Sequence, residues 1–600
     1  MTLNLVDAAV IVLYFILVLG AGVWFQRRAA RGLDAYFLGG KNIPWLALAV
    51  SGASSMFDVT GTMWIVTLIV LFGFKSMWNH WMWGFLMGAF FMSFMGKWVR
   101  RSGVITGAEW MVTRFGDRAD GRTARTAYAL MAVVTLAALL GYCFTGIGKF
   151  VSVYVPWDPH VCAVAIFAIT TVYVLLGGLY SVVVTDLIQT AILTVASVII
   201  AWVAYNKVTP ETLSGIEATR PAFYSILPVG HLDQVELAKV QGTGYAEYQL
   251  FGLLVIAWVL KGLLLNLGGP AQMSDFQRFL AARNPRDAAK VGAAWSVFMI
   301  VRWGLAVGLA LLAIQAGTQL KYNPEEDAER FMPLALGDMP MGLLGLVIAG
   351  LLSAFMASFS AMVNAGASYV VRDFWQPLVA PRASHRHLIV ASYVASFALV
   401  AVGVVIGLSS DSIGGVFNWI MMALGGAFAV PNVLRWYWWR TNGWGYAIGT
   451  LVGLLAAMIF PFVPATKPMY ISFPMICALS LVGMLAATLL TRPTEQSLLI
   501  SFYRNVRPFG AWGPIRRQAG LTEAERNAPS ESVVLAILNT ILGGIAILGA
   551  YVAPMYLVAH QHGPALAWLC IAMAAIVALY FTWYRTLPSA DSQTQMTKEA

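Results

Sequence analysis

The chain has 600 residues, of which 59% are hydrophobic and only 11% charged, with a mean hydropathy of +0.73. A soluble globular protein of this size carries charge on about a quarter of its residues, so that class is excluded. The net charge of +10 does not point to nucleic acid, because the basic residues fall in short connections between long apolar runs.

Apolar runs of about 18 or more residues, the length of a membrane-crossing helix, recur along the whole chain. About fifteen spans are predicted, at 4–25, 43–72, 76–97, 126–154, 160–178, 180–205, 246–268, 288–316, 339–370, 388–408, 413–436, 443–463, 471–490, 533–554 and 564–584. The first lacks a basic segment before it and is followed by Arg27, Arg28 and Arg31, so it reads as a span, not a cleavable signal. Basic residues fall on alternate connections: after span 3 (Lys97, Arg100, Arg101, Arg114), span 7 (Arg278, Arg283, Arg286, Lys290), span 9 (Arg372, Arg382, Arg386), span 11 (Arg435, Arg440) and span 13 (Arg492, Arg504, Arg507, Arg516, Arg517). The intervening connections are short or acidic, as at Glu325, Glu326, Asp327 and Glu329. The positive-inside rule then places the N-terminus outside and the C-terminus in the cytoplasm, and the predicted setting is a bacterial inner membrane.

Span 2 is interrupted by SGASSMFDVTGT at 51–62. A polar, glycine-containing break at that depth suits an unwound helix whose freed carbonyls, those of Met56 and Val59, face a cation beside Asp58 and Thr60. Span 7 carries a parallel interruption, KGLLLNLGGP at 261–270, and two broken helices five spans apart point to a transport site at an inverted-repeat interface. Span 9, GLVIAGLLSAFMASFSAMVNAGASYVVRDFW at 345–375, places Ser353, Ser358, Ser360 and Asn364 inside a membrane helix. A single serine there bonds back to its own helix; four polar groups in twelve residues suit close helix packing or a cation-coordinating wall. Intramembrane charges are costly, about 2.5–3.5 kcal/mol each at mid-depth, so Asp58, Asp186, Lys261 and Arg302 need partners or bound ions. Asp186 paired with one of the two cations is the structural alternative. The four cysteines and seven histidines follow no disulfide, metal or catalytic spacing, and there is no phosphate-binding loop. Neither an enzyme nor an ATP-driven pump is indicated.

Five stretches resemble the sodium:solute symporter family, whose members include sodium–glucose, sodium–proline and sialic acid transporters. They are DAYFLGGKNIPWLALAVSGAS at 34–54, ITGAEWMVTRFG at 105–116, GGLYSVVVTDLIQ at 177–189, QRFLAARNPRDAAKVG at 277–292 and LRWYWWRTNGWGYAIG at 434–449, in family order. The resemblance implies an all-α, five-plus-five inverted repeat of spans 2–6 and 7–11, a core over 43–437. A peripheral helix and loop would precede it at 1–42. Peripheral C-terminal helices would follow over 438–600, with a basic cytoplasmic loop at 491–532. It implies no cofactor beyond sodium as coupling ion, and a sodium site formed by carbonyls of Met56, Val59 and Ala354 with span 9 at Ala357 and Ser358. The family has two adjacent hydroxyls where this chain has Ala357 and Ser358, so one is missing, and Asp58 is a full charge nearby. A second sodium would use Asp186 and Ser360, with Ala361 standing where a further hydroxyl is usual.

Solute contacts are expected from Thr60, Met63, His80, Trp81, Lys261 and Arg302. The two cations suit a carboxylate or amino acid, and the tryptophans of SMWNHWMWG at 76–84 a sugar face or an interface anchor. The function implied is sodium-coupled symport of a small polar organic solute by alternating access, each sodium contributing about 2.3 kcal/mol per 100 mV. The alternatives are proton coupling through Asp58 and a membrane sensor on the same fold. A sensor usually appends a signalling domain, whereas the tail TLPSADSQTQMTKEA is short and polar.

Overall fold

The computed structural model describes residues 3–29, 43–83, 85–104, 106–240, 245–269, 275–320, 328–337, 339–410, 413, 417, 420 and 423–588. The loop at 30–42 with the start of the first family motif, Pro270, and the acidic run 325–327 lie outside the described residues.

Among the described residues the protein is all-α, with ten helices long and apolar enough to cross a membrane, or eleven if one bent pair is a single span. Fifteen were expected over the whole chain, and in parts of expected spans 1, 5 and 11 the residues or their side chains lie outside the described ones. The main elements are α1 (Leu5–Ala29), α2 (Trp45–Met56), α3 (Val59–Phe72), α4 (Glu109–Phe115), α5 (Ala119–Val151), α6 (Pro159–Lys207), α7 (Phe251–Gly268), α8 (Phe276–Ala281), α9 (Pro285–Phe298), α10 (Ile300–Leu320), α11 (Leu343–Tyr369), α12 (His385–Leu408), α13 (Ala429–Tyr437), α14 (Gly443–Ile459), α15 (Met469–Leu490), α16 (Val533–Val558) and α17 (His562–Thr582).

Two expected spans differ in form from separate α-helices. Expected spans 5 and 6 lie in one 49-residue helix, α6, because no proline interrupts 160–207 and a Gly-Gly pair alone does not stop a helix supported on its flanks. Expected span 3 opens as a 3₁₀ stretch, Phe74–Trp83, rather than an α-helix. Its polar groups are held from outside: Lys75 Nζ binds Glu236 Oε1 at 2.6 Å and Trp78 Nε1 donates to the Ile226 carbonyl at 2.6 Å.

Span 2 is broken as expected. Helices α2 and α3 meet at an angle of 58° across Phe57 and Asp58. Asp58 adopts extended backbone geometry and caps α3, accepting from the Gly61 amide, which is why the chain restarts as a helix there. Span 7 differs from expectation: α7 is continuous to Gly268, and its interruption sits at its C-terminal end, where Gly269 has φ +118°.

The apolar stretch of α11 is 94% buried, against 22% for α17 and 33% for α15. Helix α11 is therefore enclosed by α6, α5, α1, α2 and α12, while the C-terminal helices pair off as α14 with α15 and α16 with α17.

Candidate functional site

The small residues of α11 let it approach the broken span closely. Ser358 Oγ donates to the Ser55 carbonyl of α2 at 2.8 Å and lies 3.1 Å from the Ala354 carbonyl of its own helix. Three hard oxygens from two helices thus converge at the break, all buried, the kind of donor a hard cation takes. The α2 carbonyl that faces Ser358 is that of Ser55, one residue before the expected Met56. The Met56 carbonyl is engaged elsewhere, accepting from Arg302 Nη1 at 2.9 Å. Val59 starts α3 and is buried, and the Ala357 carbonyl accepts from Ser360 Oγ at 3.0 Å.

Asp186 is fully buried in α6, where it accepts from Ser51 of α2 and faces Arg278 Nη2 of α8 at 4.0 Å. Its cation is therefore Arg278, not Lys261 or Arg302. Ser360 turns back onto its own helix instead of meeting Asp186, and Ser353 of α11 bonds the Gln189 carbonyl at 3.2 Å. The Thr-Asp-x-x-Gln stretch consequently stitches α6 to α2 and α11.

Beside the break lies a cavity of about 80 Å³, lined among others by Asp58, Gly61, Trp64, His80, Trp83, Tyr142, Arg302, Trp303 and Tyr551. Asp58 Oδ2 and Arg302 Nη2 are 3.9 Å apart, and the Tyr142 hydroxyl stands 3.5 Å from Asp58 Oδ1. His80 packs edge-on against Trp303 with ring centroids 4.7 Å apart. Of the residues expected to touch solute, only His80 and Arg302 line this cavity. Thr60 faces α5 against Gly146, and Met63 is buried in the helix packing. Trp81 stacks on Trp78, with centroids 5.6 Å apart, and Lys261 Nζ points to the Met82 carbonyl at 3.1 Å behind the cavity wall. Thr60, Met63 and Trp81 face away because α3 and the 3₁₀ stretch present one side to the cavity and the other to a neighbouring helix.

Sequence reasoning missed Ser51, Ser55, Tyr142, Arg278 and Tyr551, which lie far from their partners in the chain; only the polar run 51–62 signalled the first two. The four cysteines are free, and no cluster of His, Cys, Asp or Glu suited to a metal occurs among the described residues.

A broken helix packed on a serine-bearing, fully enclosed helix, with a charged cavity alongside, defines a secondary transporter. The profile of the sodium:solute symporter family matches residues 36–453, and the chain belongs to that family. It is 27% identical over 509 residues to the sodium/glucose cotransporter 4 of Danio rerio, covering 78% of this chain and 73% of that one. A sodium/glucose cotransporter of Vibrio parahaemolyticus is 24% identical over 497 residues, covering 78% and 87%. A solved substrate-bound, outward-open Na⁺-coupled sialic acid symporter superimposes with TM-score 0.65 at 16% identity, over 82% of this chain and 99% of that one. The fold is thus the LeuT-like inverted repeat, and the protein is an integral-membrane, sodium-coupled solute symporter, not an enzyme.

Proposed function

We propose that sodium binds where Ser358, Ala354 and Ser55 converge and that the solute, a carboxylate, amino acid or sugar, binds in the cavity bounded by Asp58, Trp64 and Arg302. The observation that carries this is the Ser358–Ser55 contact across the break: the same oxygens hold α11 to α2, so an ion placed among them bridges the two elements that must move apart. Sodium binding then favours the state in which the break is closed on α11, and the solute site beside it is completed in the same state. Asp186, with Ser51 and Arg278, serves as a second coupling position. The transport core is 43–437, flanked by 1–42 and 438–600, in a bacterial inner membrane with the N-terminus outside.

The relatives' names favour sugars, and the indole rings around the cavity suit a sugar face; the Asp58–Arg302 pair suits a charged solute. The test is uptake into liposomes of solutes from both classes under an inward sodium gradient. Wild-type uptake is expected to collapse without sodium. Ser358→Ala is expected to weaken sodium activation about tenfold, through loss of one oxygen ligand, and Asp58→Ala to abolish it. Sodium-independent uptake driven by a proton gradient instead would overturn the sodium reading and favour coupling through Asp58.

A further inference from the structure

We infer that Arg302 is the anchor for a carboxylate on the transported solute, and that it releases the Met56 carbonyl when that carboxylate arrives. The inference rests on the reading of the cavity as solute site and the break as sodium site.

Arg302 is 5% exposed and reaches the cavity from α10. Its guanidinium carries five donors in a fixed fork, yet the structure engages it thinly. Nη1 meets a neutral carbonyl at 2.9 Å, Nη2 stands 3.9 Å from Asp58, and buried Nε has no hydrogen-bond partner among the described residues. The Phe57 ring, 5.2 Å from Cζ, covers one face. A buried guanidinium with unused directed donors is suited to a planar carboxylate, which takes two of them at once. A carboxylate would reach it from the cavity, which Arg302 and Asp58 both line. The meeting point itself is tight: a Cβ on Gly61 would lie 2.8 Å from Asp58 Oδ2, 3.0 Å from Arg302 Nη2 and 3.1 Å from the Tyr142 hydroxyl, so only a bare backbone fits there.

Charge balance supplies the second half of the inference. Asp58 offsets one positive charge at the break, and Arg302 already provides it. A sodium ion would add a second cation within the same low-dielectric region, which is unfavourable unless another anion enters. A solute carboxylate is that anion. By drawing Arg302 onto itself it also leaves Asp58 and the Met56 carbonyl to the ion. Sodium and carboxylate then enter as a neutral pair, and each raises the affinity for the other.

The test uses the full-length chain and matched probes that differ by a carboxylate: glucuronate against glucose, and lactate against 1,2-propanediol. Each is titrated by thermal stabilisation with and without sodium. The carboxylate of at least one pair is expected to bind about tenfold or more tightly than its neutral partner. In Arg302→Gln that preference should vanish while sodium alone binds several-fold more tightly, since a competing cation is gone. Arg302→Lys keeps the charge without the fork and should retain only part of the preference, which preserves the comparison if the glutamine variant does not fold. Neutral probes binding as well as carboxylates throughout, or an undiminished preference in both variants, would overturn the inference. A carboxylate preference that depends on Arg302 but not on sodium would sustain the anchor and refute the sodium site instead.

Discussion

The two helix interruptions that the sequence placed in parallel are built in different ways. At the end of α7 the Gly268 carbonyl accepts from Arg435 Nη2 at 3.3 Å and Trp436 Nε1 at 3.0 Å. Arg435 itself is fully buried against the rings of Trp110, Tyr128 and Tyr446, at 4.6, 5.2 and 5.7 Å. At the span 2 break an arginine also serves a freed carbonyl, Arg302 on Met56, but its surroundings are a cavity and a carboxylate 3.9 Å away. Each keeps a buried Nε without a hydrogen-bond partner among the described residues, but one guanidinium is locked into an aromatic enclosure and the other borders a cavity. An orphan carbonyl at a helix end must be satisfied in either case. Whether the arginine that satisfies it is structural or exchangeable depends on what surrounds its remaining donors.

The comparison breaks most visibly at Arg435. Arg435→Gln is expected to cost about 3 kcal/mol or more, since it removes stacked cation–π contacts and leaves the Gly268 carbonyl short of a donor. Yield of monodisperse protein and its melting temperature would report this, and Arg302→Gln should lose far less stability. A smaller contrast is set by Gly61→Ala. Its methyl would fall among Asp58, Arg302 and Tyr142, so uptake should drop about tenfold while the fold is kept. Unchanged uptake would mean that the cavity is not used there.

The smallest effect concerns Glu531, in the loop 491–532. Arg101 Nη2 holds Glu531 Oε1 at 2.6 Å, and Arg101 Nη1 reaches the Val506 carbonyl at 3.0 Å. Burial is the largest influence and acts to raise the Glu531 pKa, but Arg101, Lys97 and Arg507 together outweigh it and hold the carboxyl below its ordinary value. A group whose pKa is depressed by folding stabilises above its unfolded value, about 4.3, and loses that contribution as pH falls through the folded value. Glu531→Gln should therefore lower the melting temperature by an amount worth about 1 kcal/mol at pH 7, with the difference from wild type shrinking below pH 4.5. A difference that persists in acid would assign the effect to packing.

The polar run 51–62 located the span 2 break because a helix in hydrocarbon has no other use for that many oxygens. The glycines, serines and alanines of 345–369 likewise marked α11 as an enclosed helix. The GGLYSVVVTDLIQ stretch singled out Asp186 without its partners, since Ser51 and Arg278 are 135 and 92 positions away and nothing local names them. The run KGLLLNLGGP was read as a break through span 7, but the helix tolerates Asn266 and Gly268 because buried neighbours support it, and it turns only at Gly269. The four aromatic-rich residues at 78–83 were ambiguous for a related reason: periodicity fixes which residues share a face, not which face meets the cavity.

By itself the sequence determined that this is a membrane protein, where its second span breaks, and which family it joins, because hydropathy, glycine placement and motif order are properties of the chain read locally. The tertiary structure alone decided that Ser55 and not Met56 faces Ser358, that Arg302 holds the carbonyl expected for sodium, and that Lys261, Trp81, Thr60 and Met63 lie outside the cavity. Those outcomes depend on the rotation of helices about their axes and on side chains hundreds of positions apart sharing one low-dielectric space, where each buried charge and carbonyl takes the partner that packing brings within reach.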